Sequence, residues 1–105
     1  MIYRQGDVLI ISATMPKTAT EAIDRDAGRV VLAYGEVTGH AHAIKTEKAA
    51  LFRDPKLAAI FLHVTGDEPA LLEHEEHTTI AIPPGQYRVI RQVEYTPQAT
   101  RQVAD

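Results

Sequence analysis

Turn-forming residues recur so often along this chain that the apolar segments between them have the length of short strands. The chain contains six glycines and six prolines, and pairs such as Asp54-Pro55 and Gly66-Asp67 interrupt helices and promote turns. The apolar runs are rich in β-branched residues, as strands are. The pattern predicts an all-β fold, a small barrel or sandwich of about six to eight short antiparallel strands. It lacks the alternation of strands and helices that is typical of doubly wound nucleotide-binding folds.

The positions of the expected strands follow from the apolar runs. We expect strands at residues 7–12, 29–33, 41–44, 51–53, 59–65, 77–82 and 86–95, whereas residues 71–76 are ambiguous. Residues 13–28 are expected to form an exposed loop, and the polar tail, residues 96–105, a loose helical turn. The length of 105 residues is that of one domain. We therefore expect residues 1–105 to form a single β domain.

Composition excludes several classes of function. The formal net charge is −3, whereas nucleic-acid binders normally carry a basic excess, so no nucleic-acid partner is expected. Absence of cysteine excludes disulfides, thiolate metal ligands and cysteine nucleophiles. No apolar run approaches the roughly 18 residues of a membrane span, and the first residues do not resemble a secretory signal. We expect a soluble cytoplasmic protein with no membrane partner, and a homodimer if the strand at 86–95 lies at a sheet edge.

Histidines at alternate positions form the first candidate site motif. In His40-Ala41-His42 the two imidazoles share one face of a strand, with Cα atoms about 6.5 Å apart. Two imidazoles so placed can bind one metal ion at about 2.0–2.1 Å each. Gly35 and Gly39 precede the pair and allow the backbone to turn, which brings the histidines to a sheet edge or mouth.

A second motif, His74-Glu75-Glu76-His77, adds two imidazoles and two carboxylates. On an unbroken strand His74 and His77 would face opposite ways, so the segment must bend if both bind the same ion. Together the motifs predict a divalent transition-metal site (Zn, Fe, Mn, Ni or Cu) with His40, His42, His74 and His77 as ligands. Glu76 is the predicted auxiliary ligand or base that activates bound water or a small-molecule ligand. Whether the protein is an enzyme stays open.

Three other interpretations of the histidines remain open. The first is that they are solvated surface residues. The second is a non-catalytic accessory module that binds a protein partner, with histidines at the rim tuning binding with pH. The third follows from the H-x-T patterns at His63 and His77, which resemble those of two-histidine phosphoesterases and imply paired general acid and base. Taken by itself, His63 follows Phe61 at strand spacing and is expected to be a partly buried, hydrogen-bonded residue.

Five motifs spread over nearly the whole chain resemble those of a family of small uncharacterised bacterial and phage-associated proteins. They are RQGDVL at residues 4–9, LAYGEVTGHAH at residues 32–42, HEEH at residues 74–77, IPPGQYRV at residues 82–89 and QVEY at residues 92–95. No activity is established for that family, so the resemblance implies membership and no chemistry.

A second resemblance is to the cupins, which are double-stranded β-helix barrels that bind metals. Gly35, His40, His42 and Glu47 match the order of the first cupin motif, in which a glutamate follows the H-x-H pair. Pro83-Pro84-Gly85 matches the start of the second motif, but Arg88 stands where that motif has a histidine. The resemblance therefore implies a metal site completed by His74 or His77.

Overall fold

The computed structural model describes residues 1–35, 37–95 and 100–102, with side chains for residues 1–35 and 37–92. Every regular element in this part of the chain is a strand, and all paired strands run antiparallel, which confirms the predicted all-β class. The strands are β1 (Ile2–Gln5), β2 (Val8–Ser12), β3 (Glu21–Ala22), β4 (Val30–Tyr34), β5 (Ala41–Ile44), β6 (Ala49–Asp54), β7 (Ala59–Val64), β8 (Ala70–Glu73), β9 (Ile80–Ile82), β10 (Gly85–Arg91), β11 (Val93–Tyr95) and β12 (Thr100–Gln102).

Two sheets contain ten of these strands. One has six strands in the order β1-β2-β10-β7-β6-β3, and the other has four in the order β4-β5-β8-β9. Strands β11 and β12 form a separate pair. Because successive side chains alternate between faces, each large sheet turns one apolar face toward the other.

The main core lies between the two sheets. Ile10 and Leu62 enter it from the six-stranded sheet, and Ile44, Leu72 and Ile82 enter it from the four-stranded sheet, all fully buried. Burial of each such side chain contributes about 1.5–3 kcal/mol. A second, smaller cluster of Ala19, Ala59 and Phe61 lies apart from this core. The molecule is therefore a small sandwich.

Several strand boundaries differ from those predicted. The strand expected at residues 86–95 is divided at Gln92 into β10 and β11; the Gln92 backbone N–H donates to Asp7 O at 2.7 Å, which continues the pairing of β10 with β2 by one residue. The strand expected at 77–82 begins only at Ile80. A strand, β12, occupies part of the tail where a helical turn was expected, and residues 96–99 and 103–105 lie outside the described part. The expected loop at 13–28 contains the two-residue strand β3.

The described residues hold twelve strands, more than the sequence predicted. Strand β1 was missed because its residues are mixed polar and apolar, and it forms through pairing with β2.

Strand β10 lies between β2 and β7. The homodimer expectation required this strand to lie at a sheet edge, but both of its sides are already paired. No helix in the described residues has the length and apolar character of a membrane span.

A buried carboxylate organises the turn between β6 and β7. Asp54 is fully buried, its Oδ1 accepts the amides of Lys56 at 2.9 Å and Leu57 at 3.1 Å, and its Oδ2 accepts the Thr18 hydroxyl. The Thr18 bond is the largest cause of a pKa for Asp54 below its ordinary value of 3.8; burial acts in the opposite sense, and the two amides add to the lowering. The ionised carboxylate thus ties the loop at Thr18 to the hairpin.

We expect Asp54→Asn to lower the melting temperature at pH 7 and to reduce its dependence on acid pH. A lowered folded-state pKa stabilises the fold above the ordinary carboxyl pKa, and this stabilisation is lost as the pH falls through the folded-state value. Thermal melts from pH 7 to pH 2 measure the effect. The exposed Asp67 provides the matched control, and Asp67→Asn should behave like the wild type. Equal acid sensitivity of Asp54→Asn and the wild type would contradict this role.

Candidate metal centre

Strand β5 aims the first histidine pair into one end of the sandwich. Ile44 is a core residue, so the alternation of β5 places His42 on the same inward side, and the ring of His40, directly before the strand, lies 5.7 Å from the His74 ring. His42 is fully buried. The bulge in β4 sets the small Ala33 opposite His42, which leaves room for the ring. Before the strand, Gly39 adopts φ +88°, a left-handed conformation that glycine adopts without strain.

The second motif bends, as a shared site requires. Strand β8 ends at Glu73, and residues 75–77 form a bend rather than a strand. His74 becomes the centre of the cluster, with ring centroids 4.3 Å from His42, 4.7 Å from His77 and 5.7 Å from His40. The His42 and His77 rings stack at 5.8 Å. The structure therefore brings all four predicted histidines together.

A three-residue group within this cluster could hold a metal ion. One ligand atom from each of His40, His74 and Glu75 lies within 4.8 Å of the other two. The carboxylate of this group is Glu75, whereas the sequence favoured Glu76. Glu76 instead places Oε2 3.5 Å from His40 Nδ1, with a side chain that is 54% exposed.

Glu75 is held in its ionised form by the backbone of the first motif. Its Oε1 accepts the Ala41 amide at 2.8 Å. This hydrogen bond is the largest cause of a lowered pKa for Glu75; its own amide and the nearby His40 and His74 add to the lowering, and burial opposes it. A carboxylate beside two imidazoles is a donor set that suits divalent transition metals.

Gln5 links the two motifs, although it belongs to neither. Its buried side-chain Nε2 donates to Leu72 O at 2.8 Å and Thr78 O at 3.0 Å, on either side of the His74–His77 segment. Since Nε2 is the donor, Oε1 must be the acceptor, and it lies 2.9 Å from His42 Nδ1. His42 Nδ1 therefore carries a proton. One side chain thus sets both the loop position and the His42 tautomer.

A buried acid lies on the other side of His42. Asp7 is fully buried, with Oδ1 3.5 Å from His42 Nε2 and Oδ2 accepting Arg91 Nε at 2.8 Å. Sequence reasoning gave neither Gln5 nor Asp7 a role. The available signal was the pair of polar residues around Gly6, directly before a wholly apolar strand. Gly6 has φ +57°, and this turn directs both side chains inward.

His74 has a defined proton arrangement. The Glu76 amide donates to His74 Nδ1 at 3.0 Å, so Nδ1 is an acceptor and the neutral ring carries its proton on Nε2. A metal ion needs a ring nitrogen without a proton. Binding through the neutral ring must therefore displace the Glu76 amide or move the proton.

Three residues named in the alternative interpretations lie elsewhere. His63 is half-buried in β7 and shares a face with Phe61, as expected, away from the face that carries the main core. Glu47 is exposed in the turn between β5 and β6, and Arg88 is exposed on β10. The ring contacts of His77 in the described residues are with His42 and His74, so the structure does not pair it with His63.

Comparison with known proteins identifies one family. A family model described as a domain of unknown function, DUF8820, matches residues 4–92. Neither the curated proteins nor the solved structures give a significant match. The cupin resemblance stays a prediction.

We expect Gln5→Leu to lower the free energy of unfolding by about 2–4 kcal/mol, because it leaves two buried carbonyls and an imidazole N–H without their partner. Urea unfolding followed by circular dichroism measures the loss. The neighbouring Arg4 is exposed, and Arg4→Ala should cost less than about 0.5 kcal/mol. If Gln5→Leu left both the stability and the His42 ring signals in nuclear magnetic resonance spectra unchanged, Gln5 would not link His42 to the His74–His77 segment.

Proposed function

Because this chain belongs to the DUF8820 family, a domain of unknown function, we propose a function from its site alone: the protein binds one divalent transition-metal ion through its histidine cluster. His40, His74 and Glu75 are the proposed ligands. His77, whose buried Nε2 has no hydrogen-bond partner in the described part of the chain, is the candidate fourth ligand.

The spacing of the three ligand atoms carries this proposal. They come from two distant segments yet lie within 4.8 Å of one another. Tetrahedral ligands at 2.0–2.1 Å from zinc lie about 3.4 Å apart. Small side-chain rotations would close the difference, so the arrangement resembles an open form of a metal site. Imidazole and carboxylate ligands are compatible with Zn, Fe, Mn, Ni or Cu.

The remaining members of the cluster would support the ligands. Glu76, close to His40 Nδ1, would orient that ring and leave Nε2 for the metal, as carboxylates do beside many metal-bound histidines. His42 has an acceptor at each ring nitrogen, Gln5 Oε1 and Asp7 Oδ1. In this proposal His42 therefore buttresses His74 rather than binding the ion, which modifies the ligand set expected from the sequence.

If His40, His74 and Glu75 alone held the ion, without His77, the site would retain a coordination position for water. A bound metal lowers the pKa of such a water and produces a nucleophile near neutral pH. Glu76 is the exposed carboxylate beside His40 and would be the group that accepts the proton. The proposed role of Glu76 is thus that of a base, as the sequence suggested, while Glu75 serves as the ligand.

Metal titration tests the proposal directly. We expect the untagged wild type to bind one equivalent of Zn²⁺ or Ni²⁺ and to gain thermal stability, about 2.7 kcal/mol when the free metal is 100 times the dissociation constant. His40→Ala and Glu75→Gln should each weaken binding at least about tenfold. His63→Ala is the matched control. The site would be refuted if the wild type bound no stoichiometric Zn²⁺ or Ni²⁺, or if His63→Ala lost as much metal affinity as His40→Ala and Glu75→Gln.

The proton arrangement of His74 gives a second prediction. Binding through Nδ1 displaces the Glu76 amide, and binding through Nε2 moves the ring proton to Nδ1, so either route should remove the hydrogen bond from the Glu76 amide to His74 Nδ1. Amide exchange at Glu76 should therefore accelerate when Zn²⁺ is added. If zinc binds and exchange at this amide is unchanged, His74 is not a ligand and the set of three is wrong.

A further inference from the structure

We propose that the outer face of the four-stranded sheet binds a small organic acid, whose carboxylate pairs with Arg29 next to the metal site. A cleft of about 250 Å³ lies there, lined by Arg29, Ala41, Ala43, Lys45, Glu73, His74 and Glu75. Its volume is below the roughly 300–1,000 Å³ of pockets for drug-sized ligands, so the ligand must be small.

The alternation of β5 builds the floor of this cleft. His42 and Ile44 face the core, and Ala41 and Ala43 therefore face the opposite side, where both are almost fully buried at the base of the cleft. Val31 and Ala43 are paired across β4 and β5, which places Arg29, two residues before Val31, on the same outer side. The small alanine side chains leave the space that larger residues would fill.

Arg29 supplies the cation that selects the ligand. It is half-buried, and within the described residues no hydrogen bond or ion pair to its guanidinium is present. A guanidinium forms bidentate hydrogen bonds with carboxylates and with phosphates, but the cleft carboxylates Glu73 and Glu75 repel a phosphate dianion more strongly than a singly charged carboxylate. Lys45 lies at the same cleft, 3.8 Å from Glu73 in an exposed pair. Such pairs are weak, so Lys45 can also turn to a bound anion.

The cleft adjoins the metal centre proposed above, and this part of the inference rests on that proposal. His74 and Glu75 are both cleft residues and proposed ligands. Without metal, the charges of Glu73 and Glu75 offset those of Arg29 and Lys45. A divalent ion on Glu75 would make the cleft cationic, so an organic acid should bind more tightly to the metal-loaded protein.

Titration with propionate, followed by nuclear magnetic resonance at Arg29 Nε–H and the Ala43 amide, tests the proposal. The uncharged propionamide and inorganic phosphate serve as comparison ligands. We expect propionate to bind, propionamide not to bind, and one equivalent of Zn²⁺ to strengthen propionate binding roughly tenfold. Arg29→Gln should weaken binding about tenfold or more. Arg88→Gln, which removes a distant exposed charge, should leave binding unchanged.

A second variant separates loss of the cleft from loss of folding. Lys45→Gln changes an exposed residue of the cleft and should weaken propionate binding while the protein still binds Zn²⁺. Unchanged propionate affinity in Arg29→Gln, or binding of phosphate in place of propionate, would overturn the assignment. Propionate binding that needs Arg29 in a protein that binds no Zn²⁺ would support the cleft and refute the metal centre. Zn²⁺ binding in a protein that does not bind propionate would support the metal centre and refute the organic-acid cleft.

Discussion

The three hydrogen bonds of the Gln5 side chain hold the candidate site together. They connect β1 to the carbonyls of Leu72 and Thr78 and to the ring of His42. These partners belong to the four-stranded sheet and its β8–β9 loop, whereas Gln5 belongs to the six-stranded sheet, so the amide also joins the two layers of the sandwich. A buried amide is stabilising only when all its polar atoms are satisfied. Gln5 meets that condition. Its bonds to Leu72 O and Thr78 O hold both ends of the segment that carries His74 and His77.

A network of buried polar and charged side chains lies beside Gln5 at this end of the sandwich. Asp7 and His42 are fully buried, and Arg91 reaches Asp7 from the end of β10. A buried ion pair often stabilises a fold less than well-packed apolar side chains would. Polar groups retained at such a cost frequently mark a functional site. The network fits a role in orienting imidazoles better than a role in stability alone.

Local patterns predicted much of this architecture, and long-range hydrogen bonds determined the rest. Turn residues predicted the all-β class, and the two-residue period predicted His40 and His42 on one face; their ring centroids lie 5.7 Å and 4.3 Å from that of His74. The bend at His74–His77 could not be predicted, because the segment suits either a helical turn or a strand. The choice of Glu75 over Glu76 depends on which carboxylate the Ala41 amide reaches. Gln5 lies 67 residues from Leu72, and no periodicity relates positions so far apart.

Alternation along β5 has a consequence for how this family can vary. The strand presents His42 and Ile44 to one side and the methyl groups of Ala41 and Ala43 to the other. Point substitutions can alter either side separately, but an insertion or deletion of one residue would exchange the two. Length changes should therefore be confined to the neighbouring loops, and homologous sequences should differ in residue type along this strand without gaps.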